Sequence, residues 1–168
     1  MRKYITYGLG NKFYPEKLLT DLKCEIGKPK HAWWGSPIDA EFGWKQWCEN
    51  EDWFPTRISS TIEEYFSPDN AIIWTLKEGT KILEINTIED LNSFLEKGYI
   101  KEYDFYNLKW NFYKVLEDGY SAIQLNDACI GHCFRTRLEL IMNSWDCESI
   151  CVLDPSKIII LENETSED

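Results

Sequence analysis

The chain is short of histidine, of paired cysteines, of clustered basic residues and of long apolar runs, and each shortage removes a class of function. Histidine occurs only at His31 and His132. Neither stands in a recognisable pattern with a nearby serine, so a hydrolytic triad is not expected. Six cysteines are present, yet none forms the C-x₂-C pair usual for structural zinc. Cys129, His132 and Cys133 fall close together, and Cys147 and Cys151 repeat the four-residue offset. Buried free thiols in a reducing cytosol are the expectation, in preference to a metal site. No apolar run reaches membrane-spanning length, and the opening MRKYITYGLG lacks the apolar core of a secretory signal. A cytoplasmic protein without membrane contact is therefore expected. No glycine-rich phosphate loop and no internal repeat occur.

Positive charge is also scarce. Lys and Arg number 18 against 29 Asp and Glu, a net charge of −11. Arg135 and Arg137 form an isolated pair and the lysines are scattered, so no basic patch offsets the acidity. Such a surface repels polyanions, which argues against non-specific nucleic-acid binding and suits a basic protein partner.

Aromatic residues are abundant at 15%, with eight tryptophans. That is more than a core requires, so either an aromatic core or a groove lined by indole faces is expected. A chain of 168 residues is enough for one domain and can bury about 70% of its unfolded surface.

The pattern along the chain mixes strands and helices. Tyr4–Leu9 reads as a strand, 16–22 as a short helix, and Ala32-Trp33-Trp34 as a second strand. Ser36-Pro37-Ile38-Asp39 has the form of a helix start, with Ala40, Trp44, Trp47 and Cys48 as the apolar stripe that follows. A short helix is expected at 61–66. Ala71–Leu76 and Lys81–Ile85 read as strands in a hairpin-like arrangement. Thr87 and Asp90 cap a helix ended by Gly98. Phe105, Leu108, Phe112, Val115 and Leu116 predict a longer helix, Tyr120–Leu125 a strand, and Phe134, Leu138 and Ile141 another helix. The expectation is an α+β fold with mixed, mostly antiparallel sheets and flanking helices, one domain over 1–161 with a solvated acidic tail at 162–168.

The stretch WDCESICVLDPSKIIIL, residues 145–161, reads as two apolar strands joined by a turn at Asp154-Pro155-Ser156-Lys157. Its anomaly is a pair of carboxylates, Asp146 and Glu148, at the head of a strand otherwise suited to burial on both faces. Three readings stand: Glu148 on an exposed loop, Glu148 as a buried acceptor for backbone donors or an arginine such as Arg135 or Arg137, or Glu148 at the rim of a cleft.

An acid-x-Glu entering a strand, then Asp-Pro-Ser-Lys-Ile and a further strand, resembles the C-terminal signature of ADP-ribosyltransferases. The resemblance implies that Glu148 binds the nicotinamide-side ribose of NAD and that Asp146 helps orient the acceptor. In that family the first strand ends in His-Gly or Arg-Gly; here Tyr7-Gly8 stands. A strand ending in a small polar residue before an aromatic-bearing helix is matched by Trp33-Trp34-Gly35-Ser36. Trp44 or Trp47 then takes the place of the aromatic near nicotinamide. The implied site is Glu148 and Asp146 for catalysis, with Tyr7, Gly8, Trp34, Ser36, Trp44 and Trp47 holding NAD. The implied activity is transfer of ADP-ribose to an unidentified acceptor, expected to be a protein, without a metal.

Two other readings remain open. An acidic, non-catalytic binding or inhibitor protein fits the net charge and the surplus aromatics. A sugar cleft fits tryptophans beside two carboxylates.

Overall fold

The computed structural model describes residues 1–8, 22–25, 27–29, 32–104, 107–132, 137–142 and 144–161. Its strands are β1 (Lys3–Tyr7), β2 (Cys24–Glu25), β3 (Lys28–Pro29), β4 (Trp33–Pro37), β5 (Ala71–Leu76), β6 (Lys81–Ile85), β7 (Ile100–Asp104), β8 (Asn107–Trp110), β9 (Tyr120–Leu125), β10 (Ser149–Val152) and β11 (Ile158–Leu161). The α-helices are short: α1 (Trp44–Asn50), α2 (Ile62–Tyr65), α3 (Ile88–Glu96), α4 (Phe112–Glu117) and α5 (Cys129–His132). Seven strands form one sheet in the order β11-β5-β1-β4-β10-β9-β6, while β2-β3 and β7-β8 are separate pairs. Every pairing is antiparallel except β6 with β9. The architecture is α+β with a mixed sheet. Among the described residues no helix is long and apolar enough to cross a membrane.

Strand alternation sends side chains to two apolar clusters. Leu83, Ile85, Ile123, Leu125 and Cys151 pack with Leu91 and Phe94 of α3, Val115 of α4, and Trp110 and Trp145. Tyr4, Trp33, Ile72, Trp74, Ala122, Ile150, Val152 and Ile158 form the second cluster. The second cluster shows that the sheet curls. Tyr4 of β1 donates a 2.8 Å hydrogen bond to Gln124 of β9, although β4 and β10 lie between them in pairing order.

The curl turns on β4. Its end pairs with β1 (Tyr4 with Pro37, Ile5 with Ser36), whereas Trp33, Trp34 and Gly35 pair with β10. Beyond Ile5 the β1–β4 ladder stops, and the Thr6 hydroxyl takes over. It donates to the Trp34 carbonyl and accepts the Trp74 indole N–H at 2.9 Å. Gly35 makes this close approach possible. A Cβ there would lie 2.8 Å from the Trp74 ring and 2.9 Å from the Ile5 carbonyl oxygen, so any side chain is excluded.

Strands β5, β6 and β9 follow the sequence pattern, as does α3, where Thr87 and Asp90 cap each other's backbone N–H groups. Three expectations are corrected. First, β5 and β6 form no hairpin; four strands lie between them, because β6 pairs in parallel with β9. Second, Ser36-Pro37 ends a strand rather than starting a helix: Ile38 N–H bonds the Lys3 carbonyl, and α1 begins only at Trp44. Third, β7 and β8 pair as antiparallel strands, so Leu108 lies in a strand and only Phe112–Glu117 is α-helical. As read from the sequence, β10 and β11 are two strands joined by a turn, and β11 pairs with β5. Ile141 and Leu138 lie in a 3₁₀ helix, Arg137–Met142. The helix expected at 16–22 falls almost wholly outside the described residues, as do Phe105, Phe134, Arg135 and the tail 162–168.

Thr6→Val should leave the fully buried Trp74 indole N–H without an acceptor, a loss of about 1–3 kcal/mol. Thr6→Ser, which keeps both bonds, should unfold near wild type. Urea denaturation of the two variants checks this, and equal midpoints for valine and wild type would refute the role given to the hydroxyl.

Candidate active site

Where β1 and β4 part, a cavity of about 230 Å³ opens. Ile5, Thr6 and Tyr7 of β1 and Trp34, Gly35 and Ser36 of β4 line it, with Lys28 of β3, Trp44 of α1 and Tyr65 of α2. Ser144, Asp146, Cys147 and Ser149 complete the wall. Among the described residues the lining combines four aromatic side chains with small and hydroxyl-bearing ones, one cationic and one carboxylate side chain.

Local hydrogen bonds fix the aromatic wall. The N-cap of α1 is Gly43, which has no side-chain oxygen, so Ser36 supplies one from the end of β4, accepting the Trp44 N–H at 2.9 Å. Trp44 donates its indole N–H to the Tyr65 hydroxyl at 3.1 Å, joining α1 to α2 across the cavity. Behind it Trp47 stacks at 5.0 Å between ring centroids, and Trp53 stands edge-on to both. Burial raises the phenol pKa values of Tyr7 and Tyr65, with Glu49 adding to the effect at Tyr7. Both therefore stay neutral hydrogen-bonding groups at physiological pH.

Trp145 holds the opposite wall. It is 1% exposed, donates its indole N–H to the Gly27 carbonyl at 3.0 Å, and meets Trp34 edge-on at 4.7 Å. This ties the β2–β3 pair to the segment before β10, so Lys28 and Asp146 enter the cavity from adjacent elements. The Lys28 ammonium lies 5.0 Å from the centre of the Trp34 ring, a cation–π contact. Burial lowers the Lys28 pKa, and the nearby Asp146 partly offsets that. Ser144 lines the cavity with φ of 100°, a backbone conformation L-residues rarely adopt.

Glu148 sits differently from the strand-based expectation. Strand β10 begins at Ser149, so the alternation that would set Asp146 and Glu148 on one side does not extend to them. Asp146 lines the cavity. Partly buried Glu148 instead forms a two-bond clasp with Phe42: its N–H donates to the Phe42 carbonyl at 2.9 Å, and its Oε1 accepts the Phe42 N–H at 2.9 Å. Oε2 makes no hydrogen bond to any described residue. Of the three readings, Glu148 matches the second through the Phe42 N–H; it is not among the described residues that line the cavity, although Cys147 and Ser149 on either side of it are.

Of the sequence-predicted residues, Tyr7, Trp34, Ser36, Trp44 and Asp146 line the cavity. Gly8 does not, but its φ of 86° and tight packing on Tyr65 shape the wall next to Tyr7. Trp47 backs Trp44 instead of facing the cavity. Lys28, Thr6, Tyr65 and Ser149 are additions. Lys28 lies in a Gly-Lys-Pro triplet that reads as loop, and Tyr65 in a four-residue helix, so neither carries a periodic signal.

No protein-family model, curated protein or solved structure matches the chain.

The cysteines divide by environment. Cys48, Cys147 and Cys151 are buried, Cys24 partly so and Cys129 exposed, while Cys133 lies outside the described residues. Burial, the largest effect, pushes Cys147 up to about 12 although Ser36 and Lys28 pull it down. Native protein treated with iodoacetamide at pH 8 should therefore label at Cys129 and stay unmodified at Cys48, Cys147 and Cys151. Peptide mapping measures this, and labelling of Cys147 as fast as Cys129 would show an open, ionised thiol.

Proposed function

We propose that the chain is an NAD-dependent ADP-ribosyltransferase whose reaction takes place in this cavity. One observation carries the reading. Three segments far apart in sequence, each tied to that chemistry by resemblance, meet around one cavity: the end of β1 at Tyr7, the β4 segment Trp34–Ser36, and the segment that contributes Asp146, Cys147 and Ser149 and carries Glu148 between them.

The dimensions and chemistry suit one end of the dinucleotide. A volume of about 230 Å³ falls below the roughly 300–1,000 Å³ typical for a drug-sized ligand. It takes the nicotinamide ring and its sugar, and the adenosine end extends outside. Indole and phenol faces flank a flat cationic ring favourably, and Asp146 supplies the opposite charge. As the nicotinamide–ribose bond breaks, its electron pair leaves with nicotinamide and neutralises the ring. Positive charge then develops on the ribosyl carbon until an acceptor nucleophile bonds there and loses its proton. A fixed carboxylate stabilises that charge more in the transition state than in the ground state. Glu148 is assigned this role, with Oε1 oriented by the Phe42 amide and Oε2 turned to a ribose hydroxyl. Asp146 orients the acceptor or takes its proton.

Glu148→Gln keeps a carbonyl oxygen for the Phe42 N–H, so the fold should persist while nicotinamide release falls about 10²-fold or more. Asp146→Asn should reduce transfer to the acceptor more than hydrolysis. The assay is free nicotinamide from NAD, beside calorimetry of NAD binding. Wild-type turnover by Glu148→Gln removes Glu148 from the chemistry, and absence of both heat and nicotinamide for the wild type favours the acidic binding protein.

A further inference from the structure

We infer that Lys28 is the anion-binding residue of the cavity, gripping a phosphate of the ligand. The inference rests on the transferase reading only for the identity of that ligand. It starts from an imbalance. The chain carries 29 acidic against 18 basic residues, so its overall field repels a pyrophosphate-bearing molecule. Local attraction must come from a cation at the site itself. Among the described lining residues Lys28 is the one that supplies it.

Tyr7 cannot serve instead. It stands where the resemblance expects histidine or arginine, but a buried phenol offers one neutral donor and no positive charge. Lys28 arrives from a different element, the two-residue strand β3, and is pre-positioned from two sides. The Trp34 ring holds its ammonium at 5.0 Å from the centroid, and the Trp145 bond to the Gly27 carbonyl fixes the preceding residue. Its hydrogen-bond donors are nevertheless unused. Among the described residues the ammonium makes no hydrogen bond and no ion pair within 4.0 Å. Lys28 is only half-buried and its nitrogen is not among the buried atoms without a partner, so its donors are left to solvent in the empty protein, and a phosphate oxygen entering the cavity replaces that water with a charge-assisted bond. Asp146, near enough to Lys28 to act on its charge, gives the described lining one cation and one anion, matched to a ligand that carries a cationic ring and a phosphate.

The test is calorimetry of wild type, Lys28→Met and Lys28→Arg with three probes: ADP-ribose, inorganic pyrophosphate and uncharged nicotinamide. Lys28→Met should weaken ADP-ribose and pyrophosphate at least tenfold while nicotinamide stays within about twofold. Lys28→Arg should recover a large part of the loss. Because methionine removes a desolvated charge and keeps the stem, Lys28→Met should unfold no earlier than wild type in urea. Equal affinity of wild type and Lys28→Met for the phosphate probes, or no binding of either probe by the wild type, overturns the inference. Earlier unfolding of Lys28→Met with unchanged binding identifies a structural cation instead. If the phosphates bind through Lys28 but NAD yields no nicotinamide, the transferase reading falls and the anion site stands. If Lys28→Met cleaves NAD with wild-type KM and kcat, the reverse holds.

Discussion

The three-way contact of Thr6, Gly35 and Trp74 is the constraint from which the rest of the molecule follows. At that point β4 has to leave one partner strand and serve another, and a regular ladder cannot do this without stranding backbone polar groups. The Thr6 hydroxyl replaces the missing ladder bond to Trp34 and also satisfies the Trp74 indole. The absent side chain at Gly35 lets the surfaces approach. With the strands held together by side chains rather than backbone, the sheet curls over the Tyr4–Trp74 cluster on one face and opens a cavity where β1 and β4 diverge. Cleft and core are two consequences of one joint.

The cavity collects features unfavourable to folding. Ser144 holds a positive φ, and Lys28 is half-buried, which lowers its pKa. Such features persist where surrounding structure over-determines them. Here Trp145 is the main support, packed into the larger cluster and bonded to Gly27. The surplus of tryptophan noted in the sequence thereby divides into roles. Trp74 and Trp145 are structural anchors, Trp34 and Trp44 are cavity walls, and Trp47 and Trp53 back Trp44. Both earlier expectations for the aromatics, a core and a lined groove, hold for different members of the set.

What was legible in the sequence was local. Strands β5, β6 and β9 and helix α3 carry period or capping signals within a few residues, and they form where those signals lie. Which strand pairs with which was not legible. Apolar strands separated by a short polar turn read as hairpins, yet the curled sheet brings distant strands closer than sequence neighbours, so the expected β5–β6 hairpin is absent. The Ser36-Pro37 segment misled for a related reason. Its serine does cap a helix, but α1 lies eight residues on and is reached through a turn rather than directly. Of the site, residues carrying motif or periodic signals were visible, while Lys28 depended on a tertiary contact with Trp34 that no spacing records.

The carboxylate at the head of β10 illustrates the same limit at the scale of one peptide. Had the strand begun at Trp145, Asp146 and Glu148 would face one way. Instead the Glu148 N–H and carboxylate both turn to Phe42, and regular pairing begins only at Ser149. That irregularity separates the two acids in kind: Asp146 faces the cavity, and Glu148 pins the segment leading into α1. Since Ser36 caps the same helix and Trp44 is its first residue, any movement of Glu148 away from Phe42 loosens the loop that carries the aromatic wall. The position of Trp44 is thus coupled to Glu148 through its two hydrogen bonds with Phe42, one from its backbone and one to its carboxylate.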